Sequence, residues 1–179
     1  MNFPRKLPIG VQSFKVLRND RYLYVDKTKY ITQLVTSSRV YFLSRPRRFG
    51  KSLFLSTLAA YFLGKKELFK DLYLEKAEEE LALQENRSAW QEYPVLYFDF
   101  NIGKYTDSGA LNERLHVMLS EAESSYSIST PKEAQPFFAS RFEQLIKAAY
   151  QQTGKQVVIL VDEYDKPLLQ TMGVNEALN

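Results

Sequence analysis

The chain has 179 residues, of which 45% are hydrophobic and 14% aromatic, so it is long enough for an ordinary globular domain, and disorder over most of its length is not expected. Its 24 basic and 21 acidic residues are mostly interspersed, and the net charge of +3 does not by itself indicate a nucleic-acid-binding protein. The absence of cysteine excludes disulfides and thiolate metal sites, and a single histidine, His116, argues against a histidine metal cluster or a serine–histidine triad.

The N-terminal sequence MNFPRKLPIG has no apolar stretch of signal-peptide length. No later segment approaches the ~20 consecutive apolar residues of a membrane helix. We therefore expect a soluble, cytoplasmic protein with no membrane partner.

The first predicted elements are a short strand or extended segment over 21–27 and a helix from about Thr28. The apolar run VYFLS, 40–44, is rich in β-formers and predicts a strand buried on both faces. That run leads directly into the basic loop SRPRRFGKS, 44–52. A strand followed by such a loop is typical of a phosphate-binding site.

After the loop, KSLFLSTLAAYFL predicts a helix that is apolar nearly all round and therefore packed on several sides. Gly64 is expected to end it. Residues 65–92 predict a short helical stretch and then a charged helix or connector, whose acidic run we interpret as a solvated face.

The sequence PVLYFDF, 94–100, predicts a second buried strand. A helix near 110–123 follows, with its apolar residues on one stripe and His116 beside that stripe. We interpret His116 as a surface or core-edge residue and not as a metal ligand.

A further helix is expected to begin at a capping box, Thr130-Pro131-Lys132-Glu133, and to end at Gly154. The third strand is VVILVDEYDKP, 157–167, in which two carboxylates follow five branched aliphatic residues. Strands that alternate with helices and are apolar on both faces predict an α/β fold with a mainly parallel sheet.

The residues that carry chemistry follow the first and third strands, and ligands of an open parallel sheet bind at such carboxyl ends. The backbone amides from Phe49 to Leu53, including that of Gly50, are expected to point at an anion at the positive end of the following helix. Lys51 would reach the β- and γ-phosphates of a nucleotide, and the Ser52 hydroxyl would bind Mg²⁺.

Asp162 is suited to hold Mg²⁺ directly or through water, because this ion prefers oxygen ligands. Glu163 would orient and polarise the water that attacks the γ-phosphate. Gly-Lys-Ser or Asp-Glu alone is a weak signal. Their positions after two predicted strands, about 110 residues apart, favour a site for ATP and Mg²⁺.

Other interpretations remain open. The usual phosphate loop has a glycine where this chain has Arg45, so the first half of the loop must run differently. Arg45, Arg47 and Arg48 suggest a second hypothesis, a module that grips the backbone of a nucleic acid. A third hypothesis is a scaffold that binds nucleotide without turnover. In a purely structural alternative, Lys51 covers helix surface and the two carboxylates merely end a strand at solvent.

Six segments between about residues 7 and 170 together resemble the bacterial AAA-ATPase-like family, whose members often carry a C-terminal nuclease-like domain of the PD-(D/E)XK type. The matching segments are LPIGVQSFKVLR, YLYVDKT, FLSRPRRFGKSLFLSTLAAYF, LFKDLYL, YPVLYFDF and VVILVDEYDKPLL. A loop of the RPRRFGKS type is usual in that family. Arg45 therefore departs from the general phosphate-loop pattern but not from these relatives.

The resemblance implies a P-loop NTPase-type three-layer sandwich with an extra strand between the Walker A and Walker B strands. It carries the Walker A roles onto Gly50, Lys51 and Ser52, and the Walker B roles onto Asp162 and Glu163. The implied function is ATP binding and Mg²⁺-dependent ATP hydrolysis by one domain of a larger protein.

The class also needs a later strand between the first and third strands, so we expect the chain to be incomplete at its C-terminus. On this reading, 1–179 is the N-terminal part of one domain, with an N-terminal segment 1–39 and a core 40–179. The missing strand, and any nuclease-like domain that contacts nucleic acid, would follow residue 179.

Five polar residues in the matching segments have no role that the sequence alone assigns. For Asp26 and Lys27, in the signature YVDKT, a pocket for the nucleotide base and simple packing are both open. The same alternatives hold for Asp99, Tyr164 and Asp165.

Overall fold

The computed structural model describes residues 5–44, 46, 48–128 and 137–170. The chain divides into two compact units, Met1–Glu92 and Tyr93–Asn179. Arg45, Arg47 and the predicted capping box at 130–133 lie outside the described residues.

In its described part, the first unit is built from helices that surround an aromatic core. The elements are α1 (Phe14–Asn19), α2 (Lys29–Ser37), α3 (Lys51–Phe62), a 3₁₀ turn (Lys66–Phe69) and α4 (Tyr73–Gln84). Every residue of α3 is buried or half-buried, which confirms the prediction of a helix packed on several sides. The ring of Phe69 lies between those of Phe14 and Trp90, at centroid distances of 5.0 and 5.1 Å.

The chain turns sharply after α3, at the glycine that the sequence predicts as its end. Gly64 has a φ of +65°, a left-handed conformation that glycine adopts without steric cost. A Cβ at this position would lie 2.9 Å from the carbonyl oxygen of Trp90. Gly64 is therefore required both for the turn and for the close approach of two backbone segments.

The second unit holds a parallel sheet of two strands, within its described part. Its elements are β1 (Val95–Asp99), α5 (Ser108–Ser125), α6 (Phe138–Thr153) and β2 (Val158–Asp162), and residues 166–170 are also helical. The strands pair in parallel, with Val95 opposite Val158 and Asp99 opposite Asp162. The predicted second and third strands and the α/β class are thus confirmed, but two details are wrong. The third strand ends at Asp162 and not at 167, and Tyr97, Ile159 and Val161 are 39–42% exposed, so the strands are not buried on both faces.

The core of the second unit lies between β1 and the two long helices. Leu96 and Phe98 of β1 pack with Met118 and Leu119 of α5, and Leu145 of α6 completes the cluster with no exposed surface. Gly154, with a φ of +65°, closes α6 as predicted. This packing fixes the helices against one face of the sheet.

The predicted strand over 40–44 is wrong. These residues form neither a strand nor a helix, and the side chains of Val40 and Phe42 are 85% and 70% exposed. A strand is defined by its ladder of hydrogen bonds to a neighbour, and the ladder in the described part of the chain joins β1 to β2. Local β propensity therefore does not suffice to make this segment a strand.

The interpretation of the acidic run as a solvated face is wrong for one residue. Glu78 is 1% exposed. Its carboxylate accepts hydrogen bonds from the Tyr61 hydroxyl at 2.7 Å, the Arg87 guanidinium at 2.6 Å and the Trp90 backbone N–H at 3.1 Å. Burying this charge is tolerable because it is paired and fully hydrogen-bonded.

His116 lies at the edge of the second unit's core, as predicted. Its ring contacts that of Phe138 at a centroid distance of 4.6 Å. The Arg141 guanidinium, which is 4% exposed, lies 2.7 Å from His116 Nδ1 and pairs with Glu123 at 2.7 Å. Because arginine only donates hydrogen bonds, Nδ1 is the acceptor in this contact.

Candidate functional site

The N-terminus of α3 presents backbone amides that have no acceptor within the helix. Gly50 is the N-cap, with φ 75° and ψ 26°, and its carbonyl accepts the N–H of Phe54 at 2.9 Å. The N–H groups of Lys51, Ser52 and Leu53 precede that bond and have no acceptor within the helix. They lie at the positive end of the helix dipole, where an anion is stabilised.

The loop before α3 also contains a residue with a left-handed backbone conformation. Arg48 has a φ of 65° and is exposed, and the Phe49 side chain is 65% exposed. Lys51 and Ser52 are half-buried at the start of the helix. Phe49 to Leu53 thus lie at the N-terminal end of α3.

The second group of predicted site residues lies at the carboxyl end of β2. Asp162 is the last residue of the strand and is 6% exposed. Glu163 follows with a φ of 52°, a left-handed conformation that is uncommon for a residue other than glycine. This residue turns the chain out of the sheet and begins the turn that leads to helical residues 166–170.

Tyr97 and Asp99 of the neighbouring strand lie beside Asp162. Asp99 is directly opposite Asp162 in the register, and Tyr97 is two residues before Asp99 on the same face of β1. Asp162 therefore lies on the same face of the sheet as the Tyr97 ring. Burial, followed by the nearby charges of Asp162 and Asp99, raises the pKa of Tyr97 well above its usual value, so the hydroxyl stays protonated. Tyr97 is not among the site residues predicted from the sequence, although period-two alternation places it on the face of Asp99.

The loop after β1 is tied to the helical residues after β2. The Tyr105 backbone N–H donates to the Gln170 side-chain oxygen at 2.8 Å, and the Lys166 ammonium donates to the Asn101 carbonyl. Tyr105 is 1% exposed, and its hydroxyl donates to the Phe100 carbonyl at 3.0 Å. These contacts tie the helical residues that follow the turn at Glu163 to the loop after β1.

The signature over 24–28 makes capping contacts in the first unit. Asp26 and Thr28 accept the backbone N–H groups of Tyr73 and Leu74 at 2.7 and 3.1 Å. Thr28 is fully buried, whereas Lys27 is exposed. Of the two alternatives for this segment, these contacts favour packing.

The predicted site residues therefore form two groups, one in each unit. Phe49 to Leu53 surround the start of α3, and Asp162 and Glu163 end β2 beside Tyr97. In the described part of the chain, no cluster of three or more histidine, aspartate or glutamate side chains is arranged to hold a metal ion.

A family model described as a predicted AAA-ATPase, of the AAA-ATPase-like family, matches residues 8–179. The chain belongs to this family. The match covers both groups of predicted site residues and confirms the resemblance seen in the sequence.

Among curated proteins, this AAA-ATPase-like chain is similar to an uncharacterized protein in the vnfD 5′ region of Azotobacter chroococcum mcd 1. The two are 42% identical over 171 residues, which cover 94% of this chain. The chain spans 30% of the length of that relative. No solved structure matches the present chain. None of the helices in the described part of the chain combines the length and apolar character that a membrane span needs.

Proposed function

We propose that this chain binds ATP with Mg²⁺ and hydrolyses it, as the N-terminal part of an AAA-like P-loop domain in a longer protein. The observation that carries the proposal is the left-handed Gly50 at the start of α3, followed by Lys51 and Ser52, in a chain of the AAA-ATPase-like family. Three amides without an acceptor in the helix, at the positive end of a buried helix, suit a phosphate group.

In this proposal, the first unit holds the phosphates. The amides of Lys51, Ser52 and Leu53 donate to phosphate oxygens, and the Lys51 ammonium neutralises their charge. Lys51 is half-buried, so its charge is screened less by water than a fully exposed one. Arg48, which is exposed, adds positive charge beside the loop.

The residues present suit Mg²⁺, which supplies charge neutralisation to a phosphoryl group when it is bound. This ion is usually held by one or two protein oxygens together with waters and phosphate oxygens. We assign these protein oxygens to the Ser52 hydroxyl and the Asp162 carboxylate. The burial of Asp162 supports this role, because a buried carboxylate is stabilised by a cation.

Glu163 is proposed as the residue that orients the attacking water and accepts its proton. The support is its place directly after Asp162, at the outer end of β2, on a backbone turn that few residues adopt. Strained backbone of this kind is frequent at functional sites. The residues that follow this turn are bound to the loop after β1, through Lys166 to Asn101 and Gln170 to Tyr105.

We extend the proposal to the fold, a P-loop three-layer sandwich with a mainly parallel sheet, in which 1–39 is an N-terminal segment and 40–179 is the core. The parallel pairing of β1 and β2, with α5 and α6 between them in the chain, supports it. Parallel neighbours joined through helices are the unit from which such sheets are built.

Nucleotide-dependent thermal stabilisation tests binding. A ligand at 100 times its Kd adds about 2.7 kcal/mol to the free energy of unfolding, and 1 kcal/mol raises Tm by about 2–4 °C in a chain of this size. Mg-ATP should therefore raise the Tm of wild type by several degrees. Lys51→Ala should lose this shift. Lys147→Ala, which removes an exposed lysine paired with Glu143, should keep it. A wild type without any shift would contradict the proposal.

Phosphate release separates hydrolysis from binding. Glu163→Gln should keep the Mg-ATP shift of wild type but lose turnover, because the amide cannot accept the proton. A wild-type chain that binds ATP without releasing phosphate would support the non-hydrolysing scaffold instead.

A further inference from the structure

We propose that two copies of this chain pair through the outer edge of β1, in an antiparallel arrangement about a two-fold axis at Tyr97. The pairing joins the two-stranded sheets of the two second units into one sheet of four strands. It involves the second unit alone and needs no nucleotide, so it goes beyond the proposed function.

The hydrogen bonds between the strands show which groups lie at the outer edge of β1. The Val158 N–H donates to the Pro94 carbonyl at 2.9 Å, and the Phe100 N–H donates to the Asp162 carbonyl at 3.1 Å. Because backbone groups alternate in direction along a strand, the even-numbered residues of β1 face β2. The residues whose N–H and C=O groups face away from β2 are Val95, Tyr97 and Asp99.

These outward groups are available to a further strand. In the part of the chain that the structure describes, no hydrogen bond uses the N–H or C=O of Val95 or Tyr97. The Asp99 carbonyl accepts the Arg114 guanidinium at 3.0 Å and keeps a second lone pair. An edge of this kind is a template for pairing with another strand.

The position of Tyr97 fits pairing of the strand with itself. Tyr97 is the middle residue of the five in β1. A two-fold axis there places Tyr97 opposite Tyr97 of the second copy, and Val95 opposite Asp99 of the second copy. Outward-facing residues then meet, so each pair exchanges backbone hydrogen bonds. The two Tyr97 rings, each 39% exposed, add an aromatic contact across the strands, and no like charges lie directly opposite each other.

A groove between this edge and α5 carries opposite charges at different levels of the strand. The groove has a volume of about 350 Å³, and Arg114 and Glu121 both line it. Arg114 lies beside Asp99, at the end of β1. Since α5 runs back along β1, Glu121 lies seven residues further, about 10 Å toward the start of the strand.

Neither charge is compensated within the described part of the chain. The ion pairs there include neither Arg114 nor Glu121. The buried Nε of Arg114 also has no hydrogen-bond partner, which is unfavourable for a charged donor. Both side chains are therefore available to a partner of opposite charge.

A two-fold axis makes these charges complementary. In antiparallel pairing, the end of β1 in one copy lies beside the start of β1 in the other. Arg114 of each copy then approaches Glu121 of the other. An interface between identical copies needs such a self-complementary surface. A uniformly basic or acidic peptide would match only one of the two charges, so the groove favours a second copy.

Amide hydrogen exchange on the full chain, over a series of concentrations, tests the backbone pairing. Sedimentation velocity should show the mass rising from one chain to two as concentration increases. Over the same series, exchange should slow at the amides of Val95, Tyr97 and Asp99. The amides of Leu96 and Phe98, which already bond to β2, should be protected at the lowest concentration and serve as the internal control.

Charge reversal tests the groove. Glu121→Arg should raise the dissociation constant of the pair by about tenfold or more, because the symmetry repeats the clash with Arg114 twice. Arg114→Glu should act in the same way, and the double variant should return toward wild type because opposite charges meet again. Glu143→Arg, which makes the same charge change at an exposed position of α6, should leave the constant unchanged.

A backbone variant is the complement to these charges. Tyr97→Pro removes an outward N–H and no bond to β2, a change that an edge strand tolerates. It should abolish pairing. If this variant does not fold, the charge variants still decide the question.

Four results would overturn the proposal. The chain could stay single at every concentration, or form a pair in which the Val95 and Tyr97 amides still exchange rapidly. These amides could instead be protected in the single chain, which would show that another segment covers the edge. Finally, a dissociation constant that Glu121→Arg leaves unchanged would rule out the charge contact. None of these results bears on nucleotide binding, so the proposed function stands or fails separately.

Discussion

Asp26 caps a helix that begins 47 residues later in the chain, since its Oδ2 accepts the backbone N–H of Tyr73 at 2.7 Å. Its other oxygen accepts the Thr28 N–H at 2.7 Å, and Thr28 in turn accepts the Leu74 N–H at 3.1 Å. Leu72, the N-cap residue of α4, makes no capping bond with its own side chain. The signature at 24–28 thus supplies the cap from a distant segment and links the start of α2 to the start of α4.

Asp26→Ala should therefore lower the free energy of unfolding by about 1–2 kcal/mol, the usual effect of removing a helix cap. Asp26→Asn keeps one oxygen acceptor and should lose less. Equilibrium urea unfolding measures both changes. Lys27→Ala is the control, because Lys27 is the exposed neighbour of Asp26. Equal stability of Asp26→Ala and Lys27→Ala would rule out the capping role.

The buried pair of Glu78 and Arg87 gives a second stability prediction. Arg87→Ala leaves the Glu78 carboxylate buried without its charge partner. It should cost about 3 kcal/mol, the lower end of the range for such pairs, because Arg87 itself is 21% exposed. In a double-mutant cycle, Glu78→Gln should recover part of this loss, because the amide carries no charge to be compensated.

The comparison pair is Lys147 with Glu143, which lies at the surface with both side chains 66% exposed. Lys147→Ala should leave the urea midpoint unchanged, since exposed pairs contribute little. Costs of similar size at the two sites would show that the burial of Glu78 has no energetic consequence.

A third prediction compares two glycines that follow helices with the same φ of +65°. A Cβ at Gly154 meets nothing within 4 Å, so Gly154→Ala should cost only the left-handed strain, about 1–2 kcal/mol. A Cβ at Gly64 meets the Trp90 carbonyl at 2.9 Å, and Gly64→Ala should cost clearly more. Differential scanning calorimetry on both variants measures the difference. Equal losses would show that the backbone near Trp90 yields.

The elements that the sequence predicts correctly are those with local causes. Gly64 and Gly154 end their helices through conformations that glycine favours, and β1 and β2 are short branched and aromatic runs. The segment 40–44 has the same local character, yet it forms no strand, because a strand also needs a partner that no local pattern supplies.

The contacts that the sequence analysis missed join residues far apart in the chain. The caps from Asp26 and Thr28 reach across 46 or more residues, so no short window contains both partners. Glu78 did carry a signal, since Leu74, Glu78 and Ala82 are spaced by four and share one buried helix face. Tyr97 carried a similar signal, since period-two alternation places it on the same strand face as Asp99. Both residues were missed because Glu78 is charged and Tyr97 is polar, and such residues are usually expected at the surface.

Tyr24 gives a prediction about alkaline pH. Burial is the main cause that raises its pKa above 10.0, and the nearby charge of Asp26 acts in the same direction. The unfolded chain then loses this proton first as pH rises, so it binds fewer protons than the folded chain and stability falls above about pH 10. Tyr24→Phe removes this contribution. Its unfolding free energy, measured by urea titration between pH 9 and 11, should fall less steeply than that of wild type. Identical slopes would show that the surroundings of Tyr24 in the folded chain do not favour its protonated form.

The last prediction separates two reasons for a glycine at position 50. Gly50 and Gly10 both have left-handed backbones, with φ of 75° and 73°, and a Cβ at either meets nothing within 4 Å. Replacing either with alanine should therefore cost a similar left-handed strain of about 1–2 kcal/mol.

Only Gly50 lies at the proposed phosphate site, where the backbone must approach its ligand closely. Gly50→Ala should lose most of the Tm shift caused by Mg-ATP, whereas Gly10→Ala should keep the wild-type shift. Without Mg-ATP, the Tm of both variants should be lowered by a similar amount. Thermal unfolding with and without Mg-ATP measures the baseline and the shift in one experiment. If both variants keep the shift, the glycine serves only to begin α3. If both lose it, the effect arises from stability and not from the loop, so only the divergent result ties the conformation of Gly50 to binding.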